Sequence, residues 1–410
     1  MNEPRKRRDQ AGADSGERYI RRQIAELPPH LIRDVAHIGM KMPNAIALWF
    51  GEPDQPTPKF ICDAAAKALA EGKTFYTPNA GVSELREALA AYGSELYRVP
   101  IGVDRITVLC SGVNAIMLSM QILLDAGDNI VCPSPLWPNI EGAASVMGAA
   151  VRSVPLDFDG QRWRLDLERL EDAVDDRTRA VLVNSPNNPS GWVMSAEQQK
   201  ALLDWCRSRG LWVVADEVYA RIIYDRRVAP SFLEHAEPDD RLIVVNSFSK
   251  PWAMTGWRLG WITAPPRLGP TLEIMNEYNV AGAATFAQWA GIVALKDGEA
   301  FIADSVERYR RARDLVYQRL TGHPRIRFAR PEAAFYAFFS VDGVRDSLGF
   351  AKDLLKHTGV GLSPGTAFGS EWEGFFRLCY AVKPETLTTA MDRLLDFIGR
   401  RAAKSGKARG

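Results

Sequence analysis

From about residue 105 to residue 263 the chain alternates short β-rich runs with helical segments. The runs are 106–110, 129–132, 150–154, 180–184, 211–215, 242–246 and 259–263. Several, such as Leu242-Ile-Val-Val245, are apolar throughout, which marks strands covered on both faces. Strand and helix in alternation predict an α/β fold: a doubly wound, mainly parallel sheet of seven strands with crossover helices.

The flanks have a different rhythm. Residues 1–16 are polar and charged and predict a disordered tail. Residues 17–40 form a helical lead-in broken at Pro28-Pro29, and Ile46 to Asp54 gives a short strand ending in a Gly/Pro turn. Helical patterns follow at 58–72 and 83–97. After 270 a long helix is expected within 271–296. Another spans 298–322, with Ile302, Val306, Tyr309, Val316 and Leu320 on one stripe. Strands at 335–340 and 375–380 and helices at 348–357 and 384–402 complete an α+β pattern. The expected division is a large domain over 48–295, a smaller one from 17–47 and 296–402, and a basic tail over 403–410.

Composition narrows the function. With 46% hydrophobic residues, 25% charged and a net charge of +1, the chain reads as ordinary globular protein and gives no sign of a nucleic-acid partner. No apolar run approaches the roughly 18 residues of a membrane span, and no apolar region follows the basic N-terminus as in a signal peptide. The five cysteines are scattered without CxxC spacing and read as buried thiols in a reducing cytoplasm. Neither they nor the five histidines show metal-ligand spacing.

In open α/β sheets ligands sit beyond the carboxyl ends of the strands, so the residues there carry the argument. After the run 242–246 come Ser247, Lys250 and Arg258. A lysine amine condenses with an aldehyde, and a hydroxyl with a guanidinium suits a phosphate. Together they point to an aldehyde that carries a phosphate, pyridoxal 5'-phosphate (PLP). After the first run, Ser111-Gly-Val-Asn114 opens a helix whose free N–H groups form a phosphate cradle; the same residues also read as a plain N-cap. After the second, Trp137 offers a stacking face, or packs on the core. After the fourth, Asn188 sits in a turn where its side chain can donate to a ring oxygen. After the fifth, Asp216 follows an apolar strand. It suits a protonated pyridine nitrogen, or caps a helix, and Tyr219 is three residues on. Late in the chain Arg377 interrupts an apolar strand and suits a substrate α-carboxylate. Each signal alone is weak; their placement at successive strand ends describes one site.

With these residues in view, the chain resembles the class I/II aminotransferases, the fold-type I PLP enzymes, over roughly residues 45 to 400, and most of all the bacterial aspartate-aminotransferase-like subgroup. The stretch Ser247-Phe-Ser-Lys250 to Trp257-Arg258-Leu-Gly260 is similar to that family's lysine signature. The resemblance implies that Lys250 is the Schiff-base lysine and proton shuttle, with Asp216 and Tyr219 as its catalytic partners. It implies a phosphate site from Gly112, Val113, Asn114, Ser247 and Arg258, ring contacts from Trp137, Asn188 and Tyr219, and substrate contacts from Gly51, Asn188 and Arg377. It further implies a homodimer in which Tyr76 reaches the partner subunit's phosphate. The implied reaction is ping-pong transfer of an amino group between an L-amino acid and a 2-oxo acid. Other PLP chemistry, such as a C–S β-lyase, remains the alternative. The residues 276–286, similar to the family's dimer loop, hold no Lys or Arg. That puts an aspartate preference in doubt.

Overall fold

A computed structural model describes residues 20–407. The disorder expected for 1–16 lies outside these residues, as does the end of the basic tail. The helix Pro384–Lys407 runs further than the expected 384–402 and takes up most of that tail.

All seven expected strands form, and they form one sheet. They are β1 (Ile106–Leu109), β2 (Asn129–Ser134), β3 (Ala150–Pro155), β4 (Thr178–Asn184), β5 (Trp212–Asp216), β6 (Leu242–Ser247) and β7 (Gly260–Thr263). Their order is β1-β7-β6-β5-β4-β2-β3. Only β7 runs against its neighbours, pairing antiparallel with β1 and β6; the remaining pairs are parallel. The apolar strands divide their side chains between two cores. Leu242 and Val244 of β6 join one cluster, and Ile243 and Val245 join the other. That is the two-residue period of a strand buried on both faces.

A second sheet contains β8 (Ile326–Phe328), β9 (Tyr336–Val341), β10 (Ser363–Pro364) and β11 (Phe375–Cys379), ordered β8-β9-β11-β10 and antiparallel throughout. The two longer strands correspond to the expected ones; β8 and β10 are too short to show a period. Ile46–Ala47 forms a parallel pair with Val360–Gly361. The helix Glu299–Thr321 buries Ile302, Tyr309, Val316 and Leu320 on the expected stripe.

Two expectations are corrected. The single helix expected within 271–296 is two, Gly269–Val280 and Thr285–Asp297. Ala281 and Gly282 take left-handed conformations, which reverse the chain between them. Cys132, Cys206 and Cys379 are buried, but Cys62 is exposed and Cys110 half-buried. No helix among the described residues is long and apolar enough to cross a membrane.

Candidate active site

A cavity of about 250 Å3 opens at the carboxyl ends of β1, β2, β4, β5 and β6. Eleven of the residues expected in the site line it: Gly51, Gly112, Val113, Trp137, Asn188, Asp216, Tyr219, Ser247, Lys250, Arg258 and Arg377. Asn114 stands just behind this lining. Its backbone N–H donates to Ser111 Oγ at 3.0 Å, so Ser111 is indeed an N-cap. That cap leaves the start of the helix Gly112–Leu123, at Gly112 and Val113, facing the cavity. Tyr76 is the one expected residue that lies elsewhere. It is 93% exposed, beside the similarly exposed Phe75.

Strands and the turns that follow them position the charged groups. Lys250 sits three residues beyond the end of β6, partly buried, and its Nζ donates to Gly51 O at 2.6 Å. Burial favours the neutral amine and pushes its pKa down to about 8. Asp216 ends β5 and is 1% exposed; burial pushes its carboxyl up to about 7, against the pull of a 3.3 Å bond from Val218 N and the charge of Lys250. Glu217, next in the chain, points to the opposite face. There it accepts bonds from Ser231 Oγ at 2.7 Å and Phe232 N at 3.1 Å. The strand's alternation thus assigns the first acid to the cavity and the second to structure.

Arg377, on β11, is buried and has only neutral partners. Nη1 donates to Asn188 Oδ1 at 3.0 Å, and Nη2 donates to Ser363 Oγ at 3.3 Å and to Trp49 O, while Nε has no partner. Its guanidinium lies over the Tyr336 and Phe368 rings, at 4.7 and 4.9 Å from their centres. A buried cation without a counter-ion is costly unless an anionic ligand completes it. Asn188 is oriented in turn, its N–H donating to Asn184 Oδ1 at 2.7 Å.

Close backbone packing holds these parts in register. A Cβ on Gly260 would lie 2.8 Å from Asn246 O, Gly112 N and Ser111 C, all backbone atoms, so only glycine lets β7 approach the helix start. A Cβ on Gly51 would lie 1.8 Å from Tyr336 Oη. Arg258 itself has φ 53°, a left-handed conformation that is rare for a residue with a side chain and recurs at functional sites.

The sequence reading missed several cavity residues. Ser249, two residues after Ser247, donates its N–H to Ser247 Oγ at 3.1 Å. Tyr336 shares a 2.6 Å hydrogen bond between hydroxyls with Tyr219. Its only sequence signal was a tyrosine within an apolar strand. His30 and Arg33 come from the N-terminal segment, far in sequence from any strand of the large sheet.

Comparison with known proteins places this arrangement. A family model described as "Aminotransferase class I and II" matches residues 43–394. The chain is 34% identical over 381 residues to a probable aspartate aminotransferase of Methanocaldococcus jannaschii, covering 91% of this chain and 98% of the relative. It is 33% identical over 376 residues to aromatic-amino-acid aminotransferase 2 of Thermococcus litoralis, covering 89% and 95%. The crystal structure of aspartate aminotransferase from Thermotoga maritima superposes with a TM-score of 0.86 at 32% identity, covering 93% of this chain and all of that one.

Proposed function

The chain belongs to the class I and II aminotransferases, and from that premise we propose that it binds PLP in the cavity described and transfers amino groups there by a ping-pong reaction. The observation that carries the reading is one cavity holding Lys250, Asp216 and Arg377, none with an oppositely charged hydrogen-bond partner.

The residues present fit the cofactor. The N–H groups at Gly112 and Val113, with Ser247 Oγ and the Arg258 guanidinium, suit its phosphate, whereas the Asn114 N–H is taken by the Ser111 cap. Trp137 suits a stacked ring, and Tyr219 and Asn188 suit a ring oxygen. Asp216 suits the ring nitrogen: a cation beside it draws its raised carboxyl value down and keeps it charged. When bound, PLP supplies a ring that accepts the electron pair released at the substrate Cα.

The chain's own side chains do the rest. Arg377 holds the substrate α-carboxylate by its planar fork, and Asn188 sets that fork's angle. Lys250 Nζ, brought near neutrality by burial, takes the proton that leaves Cα. Gly51, whose carbonyl receives Nζ, leaves room for the Tyr336 hydroxyl that steadies Tyr219. We assign Tyr76 to the partner subunit's phosphate in a homodimer. The exposed Phe75, Tyr76, Ile274, Tyr278 and Val280 support such a contact, because monomers rarely leave large apolar patches open.

The test is product analysis with PLP, an L-amino acid and a 2-oxo acid. The wild type is expected to exchange the amino group and Lys250→Ala to lose that exchange. An unaffected rate in Lys250→Ala, or ammonia and pyruvate released from cystathionine in place of exchange, would contradict the reading.

A further inference from the structure

Glu217 adjoins the site and takes no part in the reaction above. It is 2% exposed. Among the described residues its side chain bonds only neutral donors, Ser231 Oγ at 2.7 Å and Phe232 N at 3.1 Å. A buried carboxyl with no cation bonded to it is costly, and burial pushes its pKa up to about 8. An apolar residue there would avoid that cost, so the two bonds it makes call for a purpose.

The turn that carries Glu217 supplies one. Asp216 and Tyr219 line the catalytic cavity, whereas Glu217 and Arg221 do not. These two line a second, small cavity of about 30 Å3 behind it. Val218 and Ser247 line both, so the wall between the two is one side chain thick. Close packing ordinarily holds a wall in place. Here a gap stands behind it, and polar ties hold the turn instead. Arg221 is tied at the far end, its Nη1 and Nη2 donating to Glu299 Oε1 and Oε2 at 2.6 and 2.9 Å. Glu217 is tied at the near end, directly after Asp216. Its anchor is itself fixed: Ser231 Oγ accepts from Leu233 N at 3.2 Å, and Ser231 N donates to Glu234 Oε2 at 3.0 Å. The Glu217 backbone N–H meanwhile donates to Val245 O at 3.0 Å and joins the turn to β6, the strand that leads to Lys250.

We propose that Glu217 is a positioning residue: by tying the start of this turn to Ser231 and Phe232 it sets Asp216 against the ring nitrogen and Tyr219 against the ring oxygen of the cofactor. The role rests on the aminotransferase reading above. Glu217 touches neither substrate nor cofactor and acts through its chain neighbours, whose misplacement by a fraction of an ångström is enough to slow a reaction.

The test uses the full-length protein as wild type, Glu217→Ala, Glu217→Gln and Ser231→Ala. Glu217→Ala is expected to lower kcat for the wild type's best L-amino acid from a standard panel by roughly ten- to a hundredfold. KM is expected to stay within about twofold, because Arg377 holds the substrate and is not disturbed. Two readouts do not depend on turnover. The Kd of PLP for the cofactor-free protein, measured by calorimetry, is expected to rise roughly tenfold. The pH midpoint of the visible cofactor band is expected to move up by about half a unit or more, because a displaced Tyr219 no longer donates to the ring oxygen and the deprotonated form loses support. Glu217→Gln can still accept from Phe232 N and meet Ser231 Oγ, so it is expected to keep most of the kcat and the midpoint. Ser231→Ala cuts the same tie from its other end and is expected to shift all readouts in the direction of Glu217→Ala by a smaller amount. A Glu217→Ala protein that loses only thermal stability, a Glu217→Gln protein as impaired as Glu217→Ala, or a Ser231→Ala protein with the wild-type midpoint and PLP affinity would each overturn the role of Glu217. The Ser231→Ala result decides the matter even where Glu217→Ala fails to fold. A wild type that transaminates no amino acid of the panel would overturn the underlying reading instead.

Discussion

The lowered basicity of Lys250 gives the sharpest quantitative prediction. Burial places its pKa at about 8 where an ordinary lysine has 10.5. At pH 8 about half of the amine is then neutral, against about 0.3% for an unburied lysine, a gain of roughly 150-fold in the reactive form. The cofactor-free protein should therefore capture PLP with a rate that rises as pH goes from 7 to 9 and levels off above. The growth of the visible absorption band after rapid mixing measures it. Stability should follow with a definite sign. The folded amine binds fewer protons than the unfolded one between pH 8 and 10.5, so the charged lysine costs stability below that window. The cost fades as pH rises through it. Lys250→Met should stabilise the cofactor-free protein by about 3 kcal/mol at pH 7, shrinking towards zero by about pH 10.5. A capture rate that climbs only near pH 10.5, together with a Met variant whose stability gain is independent of pH, would refute the argument from burial.

Two further outcomes follow from the packing and from the carboxylate clamp. Gly260→Ala puts a methyl group 2.8 Å from three backbone atoms that cannot rotate away. It should cost roughly 1–3 kcal/mol in thermal or denaturant unfolding and weaken PLP retention. Arg377→Lys keeps the charge and loses the fork, so kcat/KM should fall roughly ten- to a hundredfold for every L-amino acid alike in steady-state assays.

The large sheet was legible in the sequence because most of its strands are buried on both faces, the edge strand β3 excepted. Continuous apolar runs such as Leu242–Val245 are short for a helix and rich in β-branched residues, and all seven runs fell where expected. The charged residues of the site were legible for a related reason: Asp216, Lys250 and Arg377 are charges where burial makes charge expensive. What the sequence hid was local or remote. The reversal at Ala281 and Gly282 is a matter of two left-handed residues in a run of small side chains, which carries little periodicity to interrupt. The strands β8 and β10 are shorter than any period that could reveal them. Tyr336 and Arg33 reach the cavity from the second sheet and from an N-terminal helix, and nothing in a single chain's order tells which distant side chain meets which strand end.

The central claim is that Lys250 moves a proton at the substrate Cα while an amino group is transferred. The most direct measurement is a single-turnover absorbance experiment on the PLP-loaded protein, wild type and Lys250→Ala. An L-amino acid is added first and a 2-oxo acid second. The account predicts that the wild-type cofactor band shifts to shorter wavelength with the amino acid and returns with the oxo acid, and that Lys250→Ala completes neither change on that timescale. A Lys250→Ala protein that cycles at the wild-type rate, or a wild type whose band never shifts and returns, would contradict it.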